Sequence, residues 1–300
     1  MDLMVETPRP AGPGETREGT RFYTTAGGKG GNQAVAAARI LGERARVSMV
    51  GLVGGDAYGT EVVASLDRLG VDTKFVRQEP ACHTGVAVIM IDAQGESYVN
   101  AVYGANALCG DQQVRDVDEV LDEAAVLLVQ QEIPTALVLE AMRSARTKRV
   151  RVILDPAPTR PSLPAGFLEA CDILTPNQHE AADVCGFSVG DETSARRAAR
   201  WIRDQGVNTV IVTLGEAGAW VEGDGISELV PAPNVHATAT VGAGDALNGG
   251  LAAGLVLERD LIQAVRLGTA AGALCATREG AQDAMPTLAE IEALLASGSG

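Results

Sequence analysis

A chain of 300 residues can bury a full core, as one large α/β domain or one domain plus a small appendage, and this excludes a peptide hormone, a disulfide miniprotein or a short-repeat solenoid. Lys and Arg total 24 against 39 Asp and Glu, a net charge of −15, so the overall field repels phosphodiester backbones and anionic lipid. Nucleic acid is thereby disfavoured as the main partner, and a small anionic ligand needs local positive potential from a lysine, a metal or a helix N-terminus.

In chain order, RFYTTA (21–26) reads as extended, and GGKGGNQAVAA (27–37) places two glycine pairs around Lys29 before an alanine-rich helix. VSMVGLV (47–53) predicts a strand and the spacing from Asp56 to Leu69 a helix. GVAVIMI (85–91) and SYVNAV (97–102), joined through Asp92 to Gly95, form a hairpin signal. Strands then follow at AVLLVQ (125–130), VRVILD (150–155), DILT (172–175) and NTVIVT (208–213), with helical spacing at 134–146 and 191–204. Continuous apolar strands alternating with helices predict an α/β fold with a doubly wound, mostly parallel sheet covered on both faces. The early segment and the hairpin break that rhythm and predict a small β-sheet lid, with an antiparallel edge of the main sheet as the alternative. The expected division is 26–83 and 104–300 for the large domain, and 3–25 and 84–103 for the lid. There is no internal repeat, and the Ser/Gly tail at 297–300 is expected to fray.

Cys82, Cys109, Cys171, Cys185 and Cys275 show no C-x-x-C spacing, and the N-terminus has no signal-peptide pattern, which predicts a reduced, cytoplasmic chain. No apolar stretch reaches membrane-spanning length, because glycines and charges such as Glu258 and Arg259 interrupt the long ones. His83, His179 and His236 lie far apart without an H-E-x-x-H, which disfavours a zinc hydrolase.

Chemistry concentrates in ATATVGAGDALNGG (237–250), where Gly242-Ala243-Gly244 leads into Asp245 and a small-residue helix. Glycines at a helix start let amides converge on anionic oxygens, and the helix dipole adds positive potential. An Asp in a first helical turn is also an ordinary dipole partner, and spacing alone leaves both readings open. The segment around Lys29 is neither a P-loop nor a G-x-G-x-x-G turn, and alone it fits a close backbone approach or a plain flexible turn equally well.

Together, Gly27-Gly28-Lys29-Gly30-Gly31-Asn32-Gln33 and Gly242-Ala243-Gly244-Asp245 resemble the two signatures of the ribokinase family of carbohydrate kinases, the PfkB group. The resemblance continues in order through PGET (13–16), GANA (104–107), QEIP (131–134), DPAP (155–158), TPNQHEA (175–181), TLGEAG (213–218) and GAQ (280–282). It implies phosphoryl transfer from ATP, with Mg²⁺, to the 5-hydroxyl of D-ribose. Asp245 matches the catalytic base, and the amides of Gly242, Ala243 and Gly244 match the anion hole. Asp2, Gly28, Lys29, Asn32 and Glu132 match sugar-binding positions, a solvated strand end being the other reading of Glu132. Asn177 and Glu180 match an N-x-x-E element organising Mg²⁺ and phosphate, although without the resemblance this stretch reads as a helix cap. Thr213, Gly215 and Gly218, with Gly244, match nucleotide-contacting positions. Partners implied are a small sugar and ATP, neither nucleic acid nor membrane, and a second copy bound through the lid, since Val86, Val88 and Ile89 need covering. A kinase of deoxyribose, fructose or adenosine, or a non-catalytic binding homologue, stays open.

Two departures stand out. The family's Asp-Thr before Gly-Ala-Gly-Asp is Ala239-Thr240 here, and Ala284 stands where a hydroxyl completes a monovalent-cation site. Carbonyls near Val241, Ala276 and Gly280 are then left to hold K⁺ without a formal charge, so K⁺ activation is expected to be weak or absent. The family also opens with a buried strand ending in Gly-Ser-x-Asn-x-Asp, whereas this sequence begins Met1-Asp2-Leu3. The expectation is a truncated or mis-started form, whose sheet shows two unpaired edges and an apolar gap.

Overall fold

The computed structural model describes residues 1–297, so residues 298–300 of the Ser/Gly tail lie outside the described residues. The chain opens with strands β1 (Asp2–Glu6) and β2 (Arg21–Thr25) and helix α1 (Lys29–Leu41). Next come β3 (Ser48–Gly54), α2 (Ala57–Arg68), β4 (Asp72–Glu79) and the hairpin of β5 (Val86–Ile91) and β6 (Ser97–Val102). The alternation continues through α3 (Asp111–Leu121), β7 (Val126–Val129), α4 (Thr135–Thr147), β8 (Arg151–Leu154), β9 (Ile173–Leu174), α5 (Gln178–Cys185), α6 (Glu192–Arg203) and β10 (Thr209–Thr213). It ends with β11 (Ala219–Gly223), β12 (Ile226–Val230), α7 (Ala243–Val256), α8 (Leu261–Cys275) and α9 (Leu288–Ser297). Polar N-caps set several helix starts: Asp56, Asn177, Asp191 and Asp260 each accept the amide three residues on.

β7, β8, β9 and β10 pair in parallel, and β11 and β12 extend the sheet antiparallel. The period of two divides each strand between two cores. Val152, Leu154, Val210 and Val212 pack toward α4 and α6, whereas Ile153 and Ile211 pack toward Leu251 of α7 and Ala264 of α8. Both faces are covered, as the unbroken apolar runs require.

The extended segments that break the rhythm form a separate four-stranded sheet in the order β2-β1-β5-β6. β1 lies antiparallel to β2 and parallel to β5. The hairpin turns at Gly95, φ +83°, with Asp92 Oδ1 accepting the amides of Gln94 and Glu96. The apolar residues expected to need covering are not the exposed ones: Ile89 is buried and Val86 and Val88 are half-buried, because β5 lies between β1 and β6. The exposed apolar side chains are Phe22 on β2 and Tyr98, Val99 and Val102 on β6.

β3 and β4 form a third, two-stranded sheet. Among the described residues β3 pairs only with β4, and β7 only with β8, so two strand edges face one another without a partner. Between them lies a cavity of 830 Å³ with walls that include Met49 and Gly51 of β3, Leu127 of β7, Ala37 of α1 and Ala253 of α7. The expected unpaired edges and apolar gap are therefore both present. The same cavity reaches Asp2, Lys29, Asn32, Glu132 and Asp245. No helix among the described residues is long and apolar enough to cross a membrane.

Candidate active site

The first wall of the site is the start of α1. A Cβ on Gly27 would lie 2.1 Å from Asp2 Oδ2, so only glycine lets the loop approach this buried carboxylate. Gly28 follows with φ +87°, a conformation that favours glycine, and caps the helix. One of the free amides this leaves, that of Lys29, donates to Glu132 Oε2 at 3.0 Å. Glu132 is thus no solvated strand end but a carboxylate on the N-terminus of α1.

Asp245 and Asn32 are 213 residues apart, and the crossing of α1 and α7 joins them. At Gly249 an added Cβ would meet Ala36 Cβ at 2.5 Å and the Gln33 carbonyl at 2.7 Å, so the two helices touch through backbone. Gly250 against Gly268 brings α7 equally close to α8. The small-residue pattern after Asp245 therefore serves close packing. Across the crossing, Asn32 Nδ2 donates to Asp245 Oδ2 at 2.8 Å and Gln33 Nε2 to Asp245 Oδ1 at 3.0 Å. Asn32 Oδ1 is buried and has no hydrogen-bond partner among the described residues, which leaves an unpaired acceptor in the site.

Gly242, φ +78°, caps α7 and turns the chain into the helix just ahead of Asp245. The three amides expected to converge there differ: Ala243 N closes the turn onto the Thr240 carbonyl at 3.2 Å, while among the described residues the amides of Gly242 and Gly244 have no backbone acceptor. Two open amides and the dipole of α7 make a positive end beside a buried carboxylate.

The expected nucleotide residues lie at the carboxyl ends of β9 and β10, where open α/β sheets take ligands. Asn177 and Glu180 cap α5 reciprocally, Asn177 N donating to Glu180 Oε2 at 2.8 Å and Glu180 N to Asn177 Oδ1 at 2.9 Å. The helix-cap reading of this stretch is thus what the structure shows, and among the described residues the second Glu180 oxygen has no hydrogen-bond partner. Thr213 bridges to Asn177 in parallel. Gly215 has φ +59°, and Gly218 has φ +104° with no room for a Cβ, which would sit 2.1 Å from the Val230 carbonyl.

Four carboxylates, Asp155, Asp245, Glu180 and Glu132, converge on Lys29, and Asp2 lies near enough to Asp245 to feel its charge. Burial raises Asp2, Glu132 and Glu180, and pushes Asp155 up to about 7 although Lys29 pulls it down. Burial opposes the Lys29 ammonium, but Asp155, at 3.7 Å from Nζ, with Asp245, Glu180 and Glu132 more than offsets it and raises its pKa. Burial also pushes the Cys109 and Cys275 thiols up to about 11, so neither is a ready nucleophile.

Among the described residues no group of three or more His, Cys, Asp or Glu could hold a metal. A divalent ion arriving with phosphates needs less, one or two carboxylates and water, and the free Glu180 oxygen fits that role. The monovalent site does not fit. Ala239 and Ala284 offer no side-chain oxygen, Ala284 is buried in the core, and the Ala276 carbonyl already accepts the amides of Thr238 at 2.8 Å and Ala239 at 3.0 Å. That leaves the carbonyls of Val241 and Gly280 from the expected ring.

The structure brings Gly28, Lys29, Asn32, Glu132 and Asp245 together with Asp2. Residue-by-residue reading missed Gln33, Gln130 and Asp155 as members of the site: Gln33 Nε2 also donates to Asp155 Oδ2 at 2.7 Å, and Gln130 Nε2 to Gln33 Oε1 at 2.5 Å. Gln33 lies in the first glycine motif and Asp155 ends an apolar strand, a signal for a buried acid.

Comparison with known proteins identifies a family of sugar kinases. A family model described as pfkB family carbohydrate kinase matches residues 1–288. A ribokinase of Haemophilus influenzae is 36% identical over 289 residues, 96% of this chain and 93% of that protein. A deoxyribokinase of Salmonella typhi is 32% identical over 297 residues, 98% and 95% of the two chains. A structure of Arabidopsis thaliana ribokinase complexed with ribose and ATP superposes with a TM-score of 0.88 at 30% identity, covering 98% of this chain and 95% of that one.

Proposed function

Because the chain belongs to the pfkB family of carbohydrate kinases, and is therefore a phosphotransferase acting on an alcohol group of a sugar, we propose that it transfers the γ-phosphoryl group of ATP to the 5-hydroxyl of D-ribose. The observation that carries this reading is the buried Asp245 carboxylate, held by Asn32 and Gln33 one turn from the open amides of Gly242 and Gly244. Asp245 accepts the proton of the attacking hydroxyl while the amides take up charge on the transferring phosphoryl group. Little covalent work falls to the protein, so positioning and electrostatics supply the rate.

On the sugar side, Asp2, Asn32 Oδ1 and Glu132 offer acceptors around Gly28 and Lys29, and the unpaired Asn32 oxygen favours a fully hydroxylated sugar over one lacking a partner for it. On the nucleotide side, Thr213, Gly215 and Gly218 cradle ATP, with Asn177 orienting Glu180. Magnesium bound with the nucleotide would neutralise phosphate charge, reaching the protein through Glu180 and water. No step is assigned to K⁺. The exposed Phe22, Tyr98, Val99 and Val102 support a homodimer through the small sheet, which serves as a lid over the sugar.

Similarity to the Salmonella typhi deoxyribokinase keeps deoxyribose as a second reading. ADP release with Mg²⁺-ATP across D-ribose, deoxyribose, fructose and adenosine separates them: ribose-dependent turnover well above the rest is expected. Preference for another acceptor overturns the substrate, and silence from folded protein with all four overturns turnover itself in favour of a binding protein.

A further inference from the structure

The reading of Asp245 as base uses one bond of the Gln33 side chain and leaves its other two, to Asp155 and from Gln130, without a role. Gln33 is 1% exposed, and each polar atom of its side chain is engaged by another side chain. Its Nε2 donates at once to Asp155 Oδ2 at 2.7 Å and Asp245 Oδ1 at 3.0 Å, and its Oε1 accepts from Gln130 Nε2 at 2.5 Å. An amide nitrogen has two hydrogens, so this bridge spends both, and the Gln130 bond fixes which end of the amide faces the acids. Two carboxylates close together otherwise repel or share a proton. A shared neutral donor holds both, and Asp155 is 4% exposed with Lys29 as its nearest cation.

We propose that Gln33 is the positioning residue of the Asp245 base: anchored on Asp155 and oriented by Gln130, its amide holds the Asp245 carboxylate in the orientation that receives the substrate proton. The inference rests on the reading of Asp245 as base and adds a requirement to it. Asn32 holds the second oxygen, Oδ2, so the two donors together stop rotation of the carboxylate about its Cβ–Cγ bond. Asp155 enters as the acceptor that anchors the Gln33 amide, and the same oxygen faces the Lys29 ammonium at 3.7 Å. The groups facing Asp155 are Lys29 and Gln33 from α1, Asp245 from α7 and Glu180 from α5, and burial raises its pKa to about 7.

The test is kinetic, on the full chain with its preferred sugar. Gln33→Met keeps length and removes both donations. It is expected to lower kcat about 10- to 100-fold with the KM values for sugar and ATP within about threefold, since the lost bond acts on the base and not on ground-state binding. In an Asp245→Asn background the same change is expected to cost less than about threefold, because residues acting as a unit are non-additive. Full kcat in Gln33→Met, or an equal loss in both backgrounds, overturns the proposal. High activity of Asp245→Asn alone overturns instead the reading of Asp245 as base. If Gln33→Met does not fold, Asp155→Ala decides: it removes the acceptor that anchors the Gln33 amide and is expected to lower kcat about tenfold or more with the KM for ATP within about threefold. Full kcat in the folded Asp155→Ala variant overturns the anchor.

Discussion

Two neighbouring regions of this molecule are built in opposite ways. Where α1 crosses α7, the backbones touch, glycine is compulsory and buried polar groups find partners across more than two hundred residues. Where β3 faces β7, strand edges lack partners and apolar walls face open space. The difference shows that helix contacts hold the site, and a break in the sheet beside it leaves Asn32, Gln33 and Asp245 in register. Close packing costs conformational freedom and tolerates no added atom, whereas the gap leaves dispersion and hydrogen bonding unrealised.

The largest expected effect is on chemistry. Asp245→Ala should lower kcat by about 10²- to 10⁴-fold with little loss of ATP binding, measured by steady-state kinetics and nucleotide titration. A rise confined to the sugar KM would place Asp245 in ground-state binding.

One kind of substitution should then take opposite signs in the two regions. Gly249→Ala inserts a methyl 2.5 Å from Ala36 Cβ and is expected to destabilise by about 1–3 kcal/mol in urea unfolding. Gly51→Ala places its methyl in ordinary contact, 3.6 Å from Met49 Cε, beside the gap, and is expected to stabilise by about 0.4–1 kcal/mol through the unfolded chain. Equal signs would erase the contrast between crossing and gap.

Between these two in size lies a pH effect at the crossing. Burial raises the Asp155 carboxyl from 3.8 to about 7, so between those values the folded state binds a proton that the unfolded state releases. That contribution to stability is present at low pH and is lost as pH rises through the window. Asp155→Asn, which cannot ionise, should therefore gain about 2–4 °C in melting temperature relative to the parent at pH 8 compared with pH 5. A gain independent of pH would mean that packing, not the buried charge, decides.

The smallest expected effect is at the cation loop. With Ala239 and Ala284 supplying no oxygen, exchanging Na⁺ for K⁺ should change initial rates by less than about twofold. A severalfold rise would mean that the carbonyls of Val241 and Gly280 suffice.

Much of this was legible before any coordinates. The apolar runs at 150–155 and 208–213 announce buried parallel strands because both faces of such a strand must be covered. Gly242 to Asp245 announces a glycine-capped helix start because backbone freedom acts locally, and the structure has Gly242 at the cap of α7. The Gln33 bridge was not, since its partners are 122 and 212 residues away and no local spacing encodes them. Nor was the loss of the Ala276 carbonyl to two amides, which depends on how residues 238–239 fold back onto the end of α8.

The sequence by itself determined the element types, the alternation that makes the sheet parallel and the glycines at two helix starts. These follow from backbone conformation, side-chain period and chemistry within a few residues. Only the tertiary structure decided which amides stay open at the start of α7, which apolar residues of the small sheet face outward and which carboxylates meet. Those depend on helix crossings and strand order, where the Coulomb and contact energies of distant residues first act on one another.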